Sequence, residues 1–208
     1  MVRSAALVLI FGNRLVAGEL FSWHSFDVAE RITDKIDLQV TTRLRTRDEF
    51  HLFNQMLGGP MVTYRANPRL LYFGGYWAQP GHESTRPWTM GHRTFGGVDR
   101  RWALRNYTLV GRLTLERHIG NGRASHNRYR TYARLFFPRR VVTPFTQYEW
   151  MAIREGFFSS RQTAGLRFHV HERMMIDVSY LYDVRRATWG GNRHAIVTSV
   201  SFRRPEKD

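Results

Sequence analysis

The chain has no cysteine among its 208 residues. Disulfide scaffolds and thiolate metal centres are therefore excluded, and the absence suits an oxidising periplasm or no redox role at all. Lysine is almost missing: of 32 basic residues only Lys35 and Lys207 are not arginine, and 17 acidic residues oppose them, leaving a net charge of +15. No stretch reaches the ~18 consecutive apolar residues of a helical membrane span, so this chain enters a membrane as strands or not at all. No linker rich in proline, glycine or serine divides it, and its length suits one sizeable domain.

Aromatic residues, by contrast, make up 14% of the chain, with a mean hydropathy of −0.44. That pairing fits many half-polar strands better than a set of helices. Alternation with period two supports this. Ile36, Leu38, Val40, Thr42 and Leu44 fall on one face, with Asp37, Gln39, Thr41, Arg43 and Arg45 on the other. The same split recurs around Leu113, Tyr129, Leu166, Val178 and Ile196. Less regular candidates are Phe21 to Arg31, Pro60 to Ala66, Leu70 to Trp77, Trp88 to Val98 and Val142 to Ile153. The pattern yields about eleven strands.

Short connections (Thr33 to Lys35, Asn67 to Arg69, Asp99 to Asn106, Arg139 to Val141, His171 to Arg173) take turns with long ones. The long ones are Thr46 to Gly59, Ala78 to Pro87, Ile119 to Asn127, Arg154 to Gln162 and Arg185 to Arg193. Short periplasmic turns and longer outer loops characterise an antiparallel up-and-down transmembrane β-barrel. Residues 19–203 are assigned to the barrel and 204–208 to a short polar tail. Residues 1–18 read in two ways. Met1-Val2-Arg3, the apolar run Ala5 to Phe11 and the pair Ala17-Gly18 resemble a signal peptide, although Asn13 and Arg14 interrupt it; alternatively Arg3 to Phe11 is an additional N-terminal strand. Bacterial single-chain barrels hold even numbers of strands, so the expectation is 10–12, with twelve preferred over ten.

Alternation alone leaves two architectures open. A soluble, lipocalin-like calyx turns its apolar face inward to bind an apolar ligand, whereas a membrane barrel turns it outward. A closed barrel of about eleven strands is too wide for these apolar side chains to fill, which favours lipid outside and Arg/Asp/Glu pairs inside. Aromatics near strand ends (Tyr72, Trp77, Trp88, Tyr107, Phe137, Trp150, Tyr180, Trp189) suit the two headgroup levels of a bilayer.

The run Gly111-Arg112-Leu113-Thr114-Leu115-Glu116-Arg117 is similar to the R-x-(R/L)-x-E-x-R strand of the bacterial family catalogued as domain of unknown function 2490. Gly91-His92-Arg93, Arg128-Tyr129-Arg130 and Gly165-Leu166-Arg167-Phe168 extend the likeness, which runs from about Trp23 to Phe202. Gly91 stands where the family pattern has a Glu. Members resemble outer-membrane barrels of Gram-negative bacteria with no assigned activity, so the resemblance implies place and architecture, without catalytic residues.

The expected functional feature is a lumen charge network of Arg43, Arg45, Arg112, Glu116, Arg128, Arg130, Arg134, Glu149, Arg167, Asp177 and Asp183. It either braces the interior through cross-strand pairs or gives a narrow anion-favouring pore. Outer-membrane lipid is the expected partner, with a small anionic solute if the lumen is open; the solute and the oligomeric state are not legible. Nucleic acid is not expected, because the arginines recur strand by strand and form no single patch. No cofactor and no metal site is assigned: His169 and His171 share a strand face but lack a third ligand at a recognised spacing. The chain is not expected to be an enzyme. A lipid-modifying one would need a Ser, a His and a carboxylate together, for which Ser125 with His126, or Ser201 with His194, are the sequence candidates. Paired glycines such as Gly74-Gly75 and Gly96-Gly97 carry no phosphate-binding motif and are read as relief of crowding.

Overall fold

The computed structural model describes residues 20–47, 52–81, 89–120, 124–186 and 191–203. Within them lie eleven strands: β1 (Leu20–Arg31), β2 (Ile36–Arg47), β3 (Leu52–Asn67), β4 (Leu70–Gly81), β5 (Thr89–Leu104), β6 (Tyr107–Gly120), β7 (His126–Phe136), β8 (Val142–Ile153), β9 (Gly156–His171), β10 (Met174–Arg185) and β11 (Arg193–Arg203). Each pairs antiparallel with its chain neighbour, and β1 closes on β11 to complete a barrel. The even count does not hold for these strands. With eleven in sequence the first and last run in the same direction, so closure is parallel, from Leu20 opposite His194 to Ala29 opposite Arg203. A parallel ladder satisfies the backbone as fully as an antiparallel one, though with slanted bonds. Because β1 is paired on both edges, a ten-stranded sheet that leaves it out is also overturned. Residues 1–18 and the tail 204–208 lie outside the described residues.

Period-two patterning decides which side each residue takes. Leu38, Leu113 and Val178 are 38%, 57% and 42% exposed on the outer wall, in company with Phe26, Val40, Val62, Leu115 and Ile196. Arg43, Arg112 and Arg130 face the interior cavity instead. This is the reverse of a calyx, in which Leu, Val and Phe would be enclosed. Toward the wall's lower rim, where the odd-numbered strands end, Tyr64, Tyr72, Trp102 and Tyr107 are exposed; Tyr129, Tyr148, Trp150 and Phe157 ring the part nearer the upper rim. Trp77, expected among such rim aromatics, points inward and is buried. Trp88 and Trp189 lie outside the described residues.

The strands are longer than the alternation predicts. β5 runs on through Asp99 to Leu104, and most of the expected loop Thr46 to Gly59 belongs to β3. The expected long connection Arg154 to Gln162 is a turn at Arg154-Glu155, with Gly156 at φ +102° opening β9. In these segments the apolar–polar contrast between neighbours is lost, because both are polar as in Asp99-Arg100-Arg101 and Ser159-Ser160-Arg161 or both apolar as in Met56-Leu57, while the strand's hydrogen bonds continue. Large residues pack inside mainly at the upper rim, where Phe21, Leu181 and Ala195 form one cluster and Met151, Ile153 and Phe158 another.

Below those clusters three phenylalanines lie across glycines on the facing strand: Phe73 opposite Gly97, Phe95 opposite Gly75, and Phe145 opposite Gly165. A Cβ on these glycines would stand 2.8, 2.6 and 2.8 Å from the tip of the respective ring. The missing side chain is the space the ring occupies, a pairing that also shields the glycine backbone. A Cβ at Gly97 would in addition approach the Leu113 carbonyl oxygen to 2.1 Å. Gly97→Val should therefore prevent closure between β5 and β6. Refolding in detergent, followed as a heat-modifiable shift in gel mobility, is expected to lose the compact band that Gly96→Ala, whose Cβ comes no closer than 3.5 Å to its neighbours, retains.

Candidate functional site

The inward faces of β5 to β10 carry a belt of alternating charge. Its register is simple: Glu116 stands directly opposite Arg128, Glu149 opposite Arg161, and Arg161 opposite Asp183. On the β5 side Arg93 Nη1 lies 4.0 Å from Glu116 Oε2. Arg128 Nε donates to Glu116 at 2.8 Å, and Arg130 Nη1 sits 3.5 Å from its other oxygen. Arg130 also donates to Glu149, which Arg161 Nη1 reaches at 3.5 Å. Arg161 Nε is 3.3 Å from Asp183 Oδ2, and Arg185 Nε donates to Asp183 at 2.7 Å. Glu116, Glu149 and Asp183 are at most 2% exposed. Carboxylates withdrawn from water this far are tolerable because each faces two or more guanidinium groups.

Below the belt the pairs are separate. Arg112 grips Asp99 through two nitrogens, Arg167 holds Asp177 at 2.7 and 2.8 Å, and Arg134 Nε donates to Gln147 Oε1 at 2.6 Å. Asp37 near the lower rim is taken by Arg65 at 2.6 Å.

The belt stops at β10. On the remaining arc, Arg43 and Arg45 of β2 have no carboxylate partner among the described residues. Aromatic faces hold them: Arg45 lies 4.4 Å over Trp23 and Arg43 4.7 Å over Trp77. Each ring has a second guanidinium, with Arg161 5.0 Å over Trp23 and Arg93 5.5 Å over Trp77. Arg45 Nη1 donates to Gln55 at 3.0 Å and Arg93 Nη2 to Gln79 at 2.7 Å, neutral acceptors in both cases. Asp27 of β1 is held by neutral donors too, Thr41 at 2.6 Å, Gln39 at 2.9 Å and Ser199 at 3.4 Å. Between these walls remains a cavity of about 290 Å³.

All eleven charged residues singled out in the sequence face inward, but they do not form one network. Glu116, Arg128, Arg130, Glu149 and Asp183 share the belt; Arg112, Arg134, Arg167 and Asp177 sit in separate contacts; Arg43 and Arg45 stand apart. Sequence reasoning missed Arg93, Asp99, Arg161 and Arg185. Arg93 had a signal, since it follows Gly91-His92 on the inward side of an alternating stretch. Asp99 and Arg161 were hidden because they fall in segments read as connections. Where the family pattern's Glu would stand, Gly91 leaves Arg93 to Glu116 and Gln79.

The other sequence candidates are dispersed. Ser201 borders the cavity and His194 stacks on Tyr182 near the other end, so they do not meet. Ser125 and His126 adjoin in the chain, but the His126 ring contacts the Ala124 carbonyl and the face of His118. His169 Nε2 lies 3.1 Å from Thr143 Oγ1, and no group of three metal-ligating side chains occurs among the described residues. A serine and a histidine do meet on the upper wall. His24 Nε2 is 3.1 Å from Ser22 Oγ, and His24 Nδ1 is 2.6 Å from Thr198 Oγ1.

The model of the family described as protein of unknown function (DUF2490) matches residues 21–194, from the start of β1 to the start of β11. The chain belongs to this family. No curated protein matches this DUF2490 chain. Among solved structures its barrel is similar to LpxR from Salmonella typhimurium, with a TM-score of 0.57 at 8% identity over 86% of this chain and 87% of that chain. At that identity the likeness is one of fold alone.

The two arcs should respond unequally to loss of charge. Glu149→Gln leaves Arg130 and Arg161 without their shared carboxylate and is expected to cost about 3–5 kcal/mol. Arg43→Gln removes a cation that makes no ion pair among the described residues and rests on the Trp77 face, and is expected to cost only about 1 kcal/mol. Urea unfolding of the refolded barrel, followed by tryptophan emission, measures both.

Proposed function

We propose that this DUF2490 protein is an outer-membrane β-barrel of a Gram-negative bacterium whose arginine-rich interior serves as a narrow, anion-favouring pore. The wall supports the membrane part of the reading. A band of exposed Leu, Val, Ile and Phe bounded by tyrosine and tryptophan suits a lipid-facing surface, and it recurs around the wall where a soluble monomer scatters such residues singly. Shorter connections gather at the lower rim, with two-residue turns at 68–69, 105–106 and 172–173 against one at 154–155 on the upper rim, which supports reading the lower rim as the periplasmic one.

The observation that carries the pore reading is the charge of the cavity lining. Eight arginines border it against four carboxylates among the described residues. A low-dielectric wall concentrates that surplus on the axis, where it attracts anions and repels cations. Reconstituted into planar bilayers under a salt gradient, the protein should give a reversal potential on the anion side, moved toward zero by Arg43→Gln combined with Arg45→Gln. Absence of conductance, or preference for cations, would leave the charged interior a purely structural brace.

One observation favours a second reading, an enzyme acting on the adjoining lipid. Ser22, His24 and Thr198 form a hydrogen-bonded chain on the outer wall, with the imidazole within reach of the serine hydroxyl, which also contacts Thr46 Oγ1 at 2.7 Å. It ranks second because a hydroxyl stands where a carboxylate would orient the ring, and because Ser22 is only 4% exposed. If it holds, expression of the parent alters the acyl content of outer-membrane lipid by mass spectrometry and Ser22→Ala does not. Identical lipid profiles would dispose of it.

A further inference from the structure

The interior is divided unevenly between balanced and unbalanced charge. From β5 to β10 every buried carboxylate of the belt is shared between arginines, and the arginines of that arc lean on it. From β1 to β4 the pattern breaks off while the arginines continue. Asp27, the carboxylate this arc contributes to the cavity, is satisfied by Thr41, Gln39 and Ser199 and makes no ion pair among the described residues.

The unbalanced side is nonetheless built. Trp23 and Trp77 each hold two guanidinium groups from different strands, so that Arg43 and Arg45 rest on ring faces, with no direct ion pair among the described residues. Arg161, only 6% exposed, borders the same cavity and shares Trp23 with Arg45. The Nε atoms of Arg43, Arg93 and Arg161 are shielded and have no hydrogen-bond acceptor among the described residues. Withdrawing guanidinium donors from water without acceptors is costly, and bracing alone does not require it, since a glutamine pair or a further carboxylate would fill the space.

Resting on the pore reading above, we propose that the gap in the carboxylate belt, between Arg43, Arg45 and Arg161, is a binding site for a small divalent oxyanion of the phosphate class. Among the described residues neither Arg43 nor Arg45 makes an ion pair, and Asp27, whose charge reaches Arg43, is already held by Thr41, Gln39 and Ser199, so positive charge is in surplus there and a divalent oxyanion offsets it. Its oxygens accept the forked N–H donors that a single halide cannot use together. The cavity, at about 290 Å³, admits an inorganic or small organic phosphate and excludes a folded partner or a nucleic-acid strand. The tryptophan faces fix the donors before the ligand arrives, so little ordering remains to oppose binding. An anion held this way dwells inside the barrel, and the pore would carry phosphate-like solutes as a saturable site carries them.

Inorganic phosphate is the probe. Titrated into the full chain refolded in zwitterionic detergent, it should raise the unfolding temperature and change tryptophan emission along one saturation curve, while chloride at matched ionic strength does neither. Combining Arg43→Gln with Arg45→Gln is expected to weaken binding at least tenfold, and Arg100→Gln, an exposed arginine stacked on Trp102 away from the cavity, to leave it unchanged. Should the double variant not fold, Arg43→Gln alone carries the same expectation with a loss of at least fivefold. A parent that shows no saturable response, or a double variant that binds phosphate as well as the parent, overturns the site. Bilayer conductance of the same preparation separates the two claims. Phosphate binding without conductance sinks the pore and keeps the site; conductance without saturable phosphate binding sinks the site and keeps the pore.

Discussion

A closed sheet leaves its charged side chains one of two places, and in this protein they are given the inner one. Once β1 pairs with β11 every strand has two partners, no backbone edge remains, and the wall is free to be as oily as its surroundings allow. The interior must then reconcile all the arginines that the outside refuses. Most find a carboxylate, an aromatic face or a neutral acceptor, and the supply of carboxylates runs out on one side. The belt from Arg93 to Arg185, the tryptophan-held arginines and the cavity between them are three consequences of that single inversion.

The inversion was legible in the sequence where a strand crosses the oily band. Leu113 and Arg112, or Tyr129 and Arg130, announce their sides by adjacent contrast, and the register then brings Glu116 to Arg128 without further information. What lay beyond the band was not legible. Ser159, Ser160 and Arg161 look like a loop because both faces are polar there, yet they extend β9 and supply one of the central arginines. Asp99 was lost to an expected turn for the same reason, and with it the partner of Arg112. Trp77 was misplaced because an aromatic near a strand end suits a headgroup layer and a guanidinium platform equally well.

The strand count shows a different limit. Alternation picked out eleven strands, and a general preference for even numbers argued against the observed count. Period-two patterning carries no information about which edges meet, so parallel closure had no signature at all. The glycines were better marked. Gly74-Gly75 and Gly96-Gly97 pointed to relief of crowding, and the structure supplies the rings of Phe95 and Phe73 that do the crowding.

Family and fold agree in scope: the DUF2490 match spans most of the barrel, and the likeness to LpxR is likewise one of whole architecture. Neither supplies a chemistry, so the functional reading rests on which way the side chains point. Because the chain lacks cysteine, that orientation is open to direct measurement. Single-cysteine variants at Leu113 and Val178 on the wall, and at Arg112 and Arg134 inside, can be probed in liposomes with a water-soluble maleimide and a bilayer-confined nitroxide quencher. The account predicts that Leu113→Cys and Val178→Cys resist the maleimide and, once labelled before refolding, are quenched from the lipid, while Arg112→Cys and Arg134→Cys react and are not quenched. The opposite pattern, with the arginine positions seen by lipid and the leucine and valine positions sheltered from it, would contradict it.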